Sequence, residues 1–225
     1  EDGSVHYHQS IWDVPLEEGE WCIMARTNRI ATRYANALRD EGWVYSRFGH
    51  PSIPAKTYEA ITDWESWTRG DALPPEKIRN IYTFMRAGEG YTRGHGPRSK
   101  ELRSLDEDFM TTLPQARDTL GLLVEDDTRW HRALNKIDLE TKNYVLNALK
   151  RQDNVKNPRI KISTIHSMKG GECDNIVVVP DLSYAAHKTY RRDPSIEHRV
   201  YYVAVTRTKQ SLHIMMPETK EFYEM

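Results

Sequence analysis

The strongest constraint on the fold is a set of short apolar runs, each of which stops abruptly at polar residues or at a proline. The runs are residues 21–25, 159–165, 175–179 (closed by Pro180) and 211–216 (closed by Pro217). Short apolar runs that are rich in β-branched residues and bounded by turn residues are typical of a parallel sheet covered on both faces. We therefore predict four strands of such a sheet.

Helical patterns lie between these runs. A first helix is indicated by an apolar stripe closed by a glycine: Ile30, Tyr34, Ala37, Leu38 and Gly42. A second helix is predicted to have Asp193 as its N-cap and Pro194 in its first turn. Its buried face is predicted to be Ile196, Val200, Val203 and Ala204. Strands that alternate with helices indicate an α/β domain.

The middle of the chain has a different pattern. From about residue 51 to 158 only helical stripes are present, around a glycine-rich basic loop at 87–98. We predict a helical insertion at 51–158 between two parts of one α/β domain, 1–50 and 159–225. The formal net charge of −1 shows no overall basic excess, so any nucleic-acid surface must be local or supplied by another region.

Polar residues follow the predicted strands. Arg26 and Asn28 come after the first, Thr164 and His166 lie at the end of the second, and the turn 169–172 comes next. Ligands of open α/β sheets bind beyond the carboxyl ends of the strands, so we expect these three groups to converge on one edge. A guanidinium and a glycine-rich turn both suit phosphate groups. Each residue taken singly could equally be a solvated surface residue.

Three segments in this order carry a family resemblance. They are residues 25–28 (ARTN), 164–172 (TIHSMKGGE) and 197–208 (EHRVYYVAVTRT). They resemble motifs IV, V and VI of superfamily I DNA helicases of the UvrD/Rep type, and the third is the most specific. The resemblance implies an α/β fold with a RecA-like (P-loop NTPase-like) parallel sheet, helices on both faces, and a mostly helical insertion that is a reduced accessory subdomain.

The resemblance also implies roles at an ATP site between two RecA-like domains. Arg26 and Arg207 would be the catalytic arginines at the γ-phosphate, Glu172 would contact the ribose, and Gly170 would let the backbone approach the nucleotide. Many relatives have an aromatic residue before the motif IV arginine, where it stacks on adenine. Here that residue is Ala25, so adenine stacking is not expected from this position.

Single-stranded DNA and duplex junctions are the partners that the resemblance implies. Thr164 and His166 would contact the DNA backbone, and Asn28, Arg93 and Arg98 are further candidates. The last two belong to the loop at 87–98, where basic residues with Tyr91 and His95 could form a DNA-binding strip or simply a solvated loop.

The phosphate-binding residues of the family are missing. The sequence contains no Gly-x-x-x-x-Gly-Lys-Ser/Thr stretch, so we expect ATP and Mg²⁺ to be held mainly by a first RecA-like domain of a longer chain. This chain alone is expected to be inactive as an ATP hydrolase and to hold no metal. No apolar run reaches the length of a membrane span, and two distant cysteines suit a cytoplasmic setting.

Two other functions remain open at this point. A motor domain that has lost its activity could serve as a DNA-binding or docking module. A metal-dependent nuclease could use carboxylates such as Glu172, Asp174 and Asp181.

Overall fold

The computed structural model describes residues 3–151, 153–168 and 171–225. The chain packs as two compact units. The sheet unit comprises Glu1–Ser52 with Asn147–Met225, and the helical unit comprises Ile53–Leu146.

A seven-stranded sheet forms the centre of the sheet unit. Its strands are β1 (Ser4–His8), β2 (Trp21–Ala25), β3 (Tyr45–Arg47), β4 (His50–Pro51), β5 (Ile160–Thr164), β6 (Cys173–Val178) and β7 (Thr208–Met215). The spatial order is β1-β7-β6-β2-β5-β3-β4. Every neighbouring pair is parallel except β3 and β4, which form an antiparallel hairpin. The predicted α/β class with a mostly parallel sheet is confirmed.

The helices are α1 (Asn28–Asp40), α2 (Ala55–Thr68), α3 (Pro75–Thr83), α4 (Lys100–Ser104), α5 (Leu113–Leu120), α6 (Trp130–Ala133), α7 (Leu139–Arg151), α8 (Tyr184–Tyr190) and α9 (Ser195–Val205). Alternate residues of β2 face opposite sides of the sheet. Ile23 packs in one core with Tyr34 of α1, whereas Met24 packs in a second core with Tyr201 of α9. Helices therefore cover both faces, which explains why β2 is apolar at every position.

All four predicted strands are present, and three further strands were not predicted. β1 is polar and exposed at the edge of the sheet, and β3 and β4 have three and two residues, too few for a periodic pattern. α1 agrees with its predicted stripe at Ile30, Tyr34 and Leu38, which are buried, whereas Ala37 is half-buried. It ends one residue before Glu41, and Gly42 follows with a φ of 76°.

The predicted buried face of α9 is only partly correct, because Ala204 is buried whereas Val200 and Val203 are half-buried. Ile196 is 41% exposed, and the buried residues are Glu197, Tyr201 and Ala204. The face is rotated by one position because a salt bridge allows the carboxylate of Glu197 to be buried. The predicted N-cap Asp193 is wrong by one residue, because the helix begins at Ser195 and Pro194 is its N-cap. Asp193 Oδ1 still accepts a hydrogen bond from the backbone N–H of Ser195 at 3.0 Å.

The helical unit is built around two tryptophans of α2. Trp64 and Trp67 are fully buried, and their ring N–H groups donate to the carbonyl oxygens of Thr128 (2.8 Å) and Thr111 (3.0 Å). These bonds tie α2 to two of the loops that have no regular structure. Every helix in the described part of the chain is too short or too polar to cross a bilayer.

The packing boundary after the insertion lies at 146/147, within α7, whereas the sequence places the end of the insertion at 158. The last turn of α7 belongs with the sheet unit for a local reason. Gly42 leaves room for it, because a Cβ at Gly42 would lie 2.6 Å from the Cβ of Asn147. The guanidinium of Arg151 also lies 3.5 Å from the ring centroid of Trp43.

Candidate functional site

The polar segments that follow or precede the strands lie at two opposite edges of the sheet. Because β2 and β5 are parallel, Arg26, Asn28, Thr164 and His166 lie at the carboxyl edge, where these two strands end. Glu172 directly precedes β6, which is parallel to β2, and therefore lies at the amino edge. The prediction that all three groups converge on one edge is wrong for this turn. β5 and β6 flank β2 on either side, so Thr164 at the end of β5 and Cys173 at the start of β6 lie at opposite edges of the sheet.

Arg207 lies beside Glu172 at the amino edge. It stands between the end of α9 and the start of β7, and its carbonyl oxygen accepts a hydrogen bond from the backbone N–H of Cys173 at 3.1 Å. Lys209 Nζ lies 3.6 Å from Glu172 Oε2, so a cation faces this carboxylate. The Nε of Arg207 is buried and has no hydrogen-bond partner among the described residues.

Arg26 is already paired inside the sheet unit. Its Nε lies 2.7 Å from Glu197 Oε2 and its NH2 lies 2.9 Å from Glu197 Oε1, which makes a bidentate pair. The side chain of Glu197 is 2% exposed and that of Arg26 is 20% exposed. The hydrogen bonds to Glu197 raise the pKa of Arg26 above its ordinary value. The pair joins the carboxyl end of β2 to the first turn of α9.

The two arginines predicted for one phosphate group are separated by α9. The helix has 11 residues, which corresponds to about 16 Å at 1.5 Å per residue. Glu197, and with it Arg26, is at the start of the helix, and Arg207 follows its end. Glu197 was not predicted as a site residue. The sequence did contain one indication that Glu197 is buried. Its spacing from Tyr201 and Ala204 places all three residues on one face of the helix.

The turn after β5 is organised by hydroxyl groups. Ser167 Oγ donates to the carbonyl oxygen of Thr164 (2.9 Å), and the two side-chain hydroxyls lie 3.0 Å apart. His166 is exposed between them. Thr164 is the register partner of Ala25, and the N–H of Ile165 donates to the carbonyl oxygen of Ala25, so this turn lies beside the start of α1.

Asn28 is the exposed first residue of α1. Thr27 caps this helix, because its Oγ1 accepts a hydrogen bond from the N–H of Ile30 at 3.4 Å. The carboxyl edge thus brings together Asn28, Thr164 and His166, which are the predicted DNA contacts of the sheet unit. Gly170, predicted at the nucleotide, lies outside the described residues.

The loop at 87–98 belongs to the helical unit. Arg93 and Arg98 are exposed. Tyr91, which a DNA-binding strip would need at the surface, is 7% exposed and stacks on Tyr82 with ring centroids 5.2 Å apart. Tyr91 is therefore not available for base stacking, whereas the exposed Arg93 and Arg98 fit either a DNA-binding strip or a solvated loop.

The carboxylates of the nuclease hypothesis do not converge. Asp181 is fully buried beyond the carboxyl end of β6, where its Oδ1 accepts hydrogen bonds from the N–H (2.8 Å) and the hydroxyl (2.7 Å) of Thr219. Glu172 precedes the opposite end of the same strand. Within 3–151, 153–168 and 171–225, no three histidine, cysteine or acidic side chains are grouped to hold a metal ion.

A mostly parallel α/β sheet with motif loops at both of its edges defines a motor domain of the RecA-like class. The family model of the UvrD-like helicase C-terminal domain matches residues 55–219, well over half of the chain, and the chain belongs to that family. Among curated proteins, no individual sequence matches it. Residues 164–172 and 197–208 lie inside the matched range, and residues 25–28 lie before it.

Proposed function

We propose that this chain is the second motor domain of an ATP-dependent DNA helicase or translocase. In this proposal a first RecA-like domain holds the phosphates of ATP and Mg²⁺, and this domain completes the site from across a cleft. Membership of the helicase family supports the motor. The observation that carries the finer proposal is the division of the motif residues between two edges of one sheet.

The amino edge would face ATP. Arg207 is the proposed arginine finger, because the Nε of its guanidinium has no hydrogen-bond partner among the described residues and Lys209 faces the neighbouring Glu172. A guanidinium at the transferring phosphoryl group neutralises charge that develops in the transition state, an effect worth about 10³–10⁵ in rate in well-studied GTPases. Glu172 would contact the ribose, and Gly170 would allow close approach of the backbone.

The carboxyl edge would contact single-stranded DNA through Asn28, Thr164 and His166. His166 and Glu172 both belong to the sequence between β5 and β6, so the two edges would be linked through one short segment of the chain. A shift of Glu172 when the cleft closes on ATP would be passed to His166, which lies six positions earlier in the sequence. Repeated closing and opening would move the domain along the strand.

We propose that Arg26 positions α9 and does not contact ATP itself. A contact from Arg26 to the γ-phosphate would require its bidentate pair with Glu197 to open, and Arg26 lies at the edge opposite Arg207. The pair instead fixes the first turn of α9, the helix that leads to Arg207.

The ATP-facing role is tested with Arg207→Ala in a protein that carries both RecA-like domains. ATP binding should stay within about threefold of wild type, because a finger acts mainly in the transition state, and DNA-stimulated hydrolysis should fall by about 10³ or more. Lys209→Ala is the matched control, a cation at the same edge whose loss should change turnover by less than about tenfold.

Turnover that is unchanged in Arg207→Ala would remove the arginine finger from the proposal. Wild-type protein that binds single-stranded DNA but never hydrolyses ATP would favour the DNA-binding or docking module instead.

A further inference from the structure

The hairpin of β3 and β4 has a strained residue at its tip. Arg47 pairs with His50, so the turn consists of Phe48 and Gly49 alone, with φ angles of 50° and 81°. Two consecutive positive φ angles are the signature of a type I′ turn, in which asparagine, aspartate and glycine are favoured. Phe48 is the only non-glycine residue with a positive φ in the described part of the chain. A bulky side chain in this region is strained, and such strain concentrates at functional sites.

The strained side chain is exposed and held by a cation. The Phe48 ring is 46% exposed, and the guanidinium carbon of Arg47 lies 5.2 Å from its centroid. Arg47 is fixed in turn by α1, because its NH2 donates to Thr32 Oγ1 (2.7 Å) and to the carbonyl oxygen of Asn28 (3.3 Å). Both acceptors are neutral, and among the described residues no carboxylate pairs with Arg47. The positive charge therefore remains available beside the ring.

The hairpin tip lies at the carboxyl edge of the sheet. β3 is the parallel neighbour of β5, so Phe48 follows the end of one strand while Thr164 ends the next. Adjacent strands lie about 4.8 Å apart. An exposed aromatic ring beside a cation and a row of polar groups is the arrangement with which proteins bind single-stranded nucleic acid: bases stack on the ring and the phosphates follow the charge.

We propose that Phe48 is a base-stacking residue of the DNA track, and that Arg47 both holds its ring and adds positive charge beneath the backbone. The ligand is single-stranded DNA, whose unpaired bases leave a face free for stacking. This inference rests on the proposed function for the choice of ligand. It adds a subsite at the hairpin, next to Asn28, that the helicase motifs do not include.

Phe48→Asn separates binding from folding. Asparagine accepts the left-handed conformation, so this variant should be at least as stable as wild type by thermal unfolding. Its affinity for a fluorescein-labelled oligothymidine of about 16 nucleotides should be roughly five- to hundredfold lower, the loss expected for one stacked base. Phe48→Trp should keep wild-type affinity. The control Tyr7→Asn removes an aromatic side chain that is 63% exposed on β1, at the other end of the sheet, and should leave affinity unchanged.

A second probe reports stacking directly. An oligonucleotide that contains 2-aminopurine should lose fluorescence on binding to wild type, since stacking quenches this base, and should lose less with Phe48→Asn. The proposal is overturned if Phe48→Asn binds within twofold of wild type, or if Tyr7→Asn loses as much affinity as Phe48→Asn. Failure of the wild-type protein to bind single-stranded DNA at all would instead refute the proposed function, and this inference with it.

Discussion

The pair of Arg26 and Glu197 shows how one buried charge can define the face of a helix. An ionised carboxylate that is 2% exposed is stable only because a guanidinium meets both of its oxygens. The position would otherwise require an apolar residue, which is why a pattern based on hydrophobicity selects Ile196 instead.

Glu197→Gln should therefore destabilise the chain markedly. The amide keeps the shape but leaves Arg26 without its counter-charge, and we expect the free energy of unfolding in urea to fall by about 2–3 kcal/mol, somewhat below the usual loss for a fully buried pair because Arg26 is partly exposed. Glu20→Gln is the control. Its partner Lys161 lies 3.4 Å away and both side chains are exposed, so the change should stay within about 0.5 kcal/mol. Equal effects of the two substitutions would contradict this account.

At the scale of elements, the edge strand β1 is held to β7 by histidines. His213 is buried, and its Nδ1 lies 2.8 Å from His8 Nε2 while its Nε2 lies 2.9 Å from Ser211 Oγ. Ser211 donates its proton to Asn175 Oδ1, so its oxygen accepts from Nε2–H of His213. When His213 is neutral, its Nδ1 carries no proton and accepts a hydrogen bond from the Nε2–H of His8.

This arrangement makes the stability of the chain depend on pH. Burial and the neighbouring His8 and His6 lower the pKa of His213 from 6.5 to about 4. The unfolded chain therefore binds a proton that the folded chain does not bind between these values, and stability falls as the pH decreases through this window. We expect a loss of about 1–2 kcal/mol between pH 7 and pH 5, measured by urea unfolding.

His213→Gln should flatten that pH dependence, whatever its effect at neutral pH. His50→Gln is the control, because His50 is exposed at the hairpin and should leave the dependence as it is. A wild-type stability that does not change between pH 7 and pH 5 would show that His213 titrates normally.

The elements that could be predicted are those whose own residues form a recognisable hydrophobic pattern. β2, β5, β6 and β7 have apolar runs, and α1 has a stripe and a terminal glycine, because burial of each is decided locally. β1, β3 and β4 were missed because their pairing comes from distant neighbours rather than from a periodic pattern.

The candidate site was predictable in composition but not in arrangement. Motif residues can be read from the chain, whereas the edge at which each lies depends on strand order. That order places β2 between β5 and β6, and so it sends Glu172 to one edge and Thr164 to the other. The partner of Arg26 also could not be predicted, because Glu197 is 171 residues away in sequence.

At the scale of the whole molecule, the central claim is that the residues proposed to face ATP and those proposed to contact DNA lie at opposite edges of one sheet. Arg207 and Glu172 lie at the amino edge, and Asn28, Thr164 and His166 lie at the carboxyl edge. Substitutions at the two edges should then affect different kinetic parameters of the same reaction.

The most direct test is ATP hydrolysis by a protein with both RecA-like domains, measured against the concentration of single-stranded DNA. His166→Ala should raise the DNA concentration for half-maximal stimulation by about tenfold, the loss of one contact to phosphate, with little change in the maximal rate. Arg207→Ala should lower the maximal rate by about 10³ and leave the DNA concentration unchanged. The account is contradicted if the effects are exchanged, so that His166→Ala abolishes hydrolysis at saturating DNA while Arg207→Ala weakens only the response to DNA.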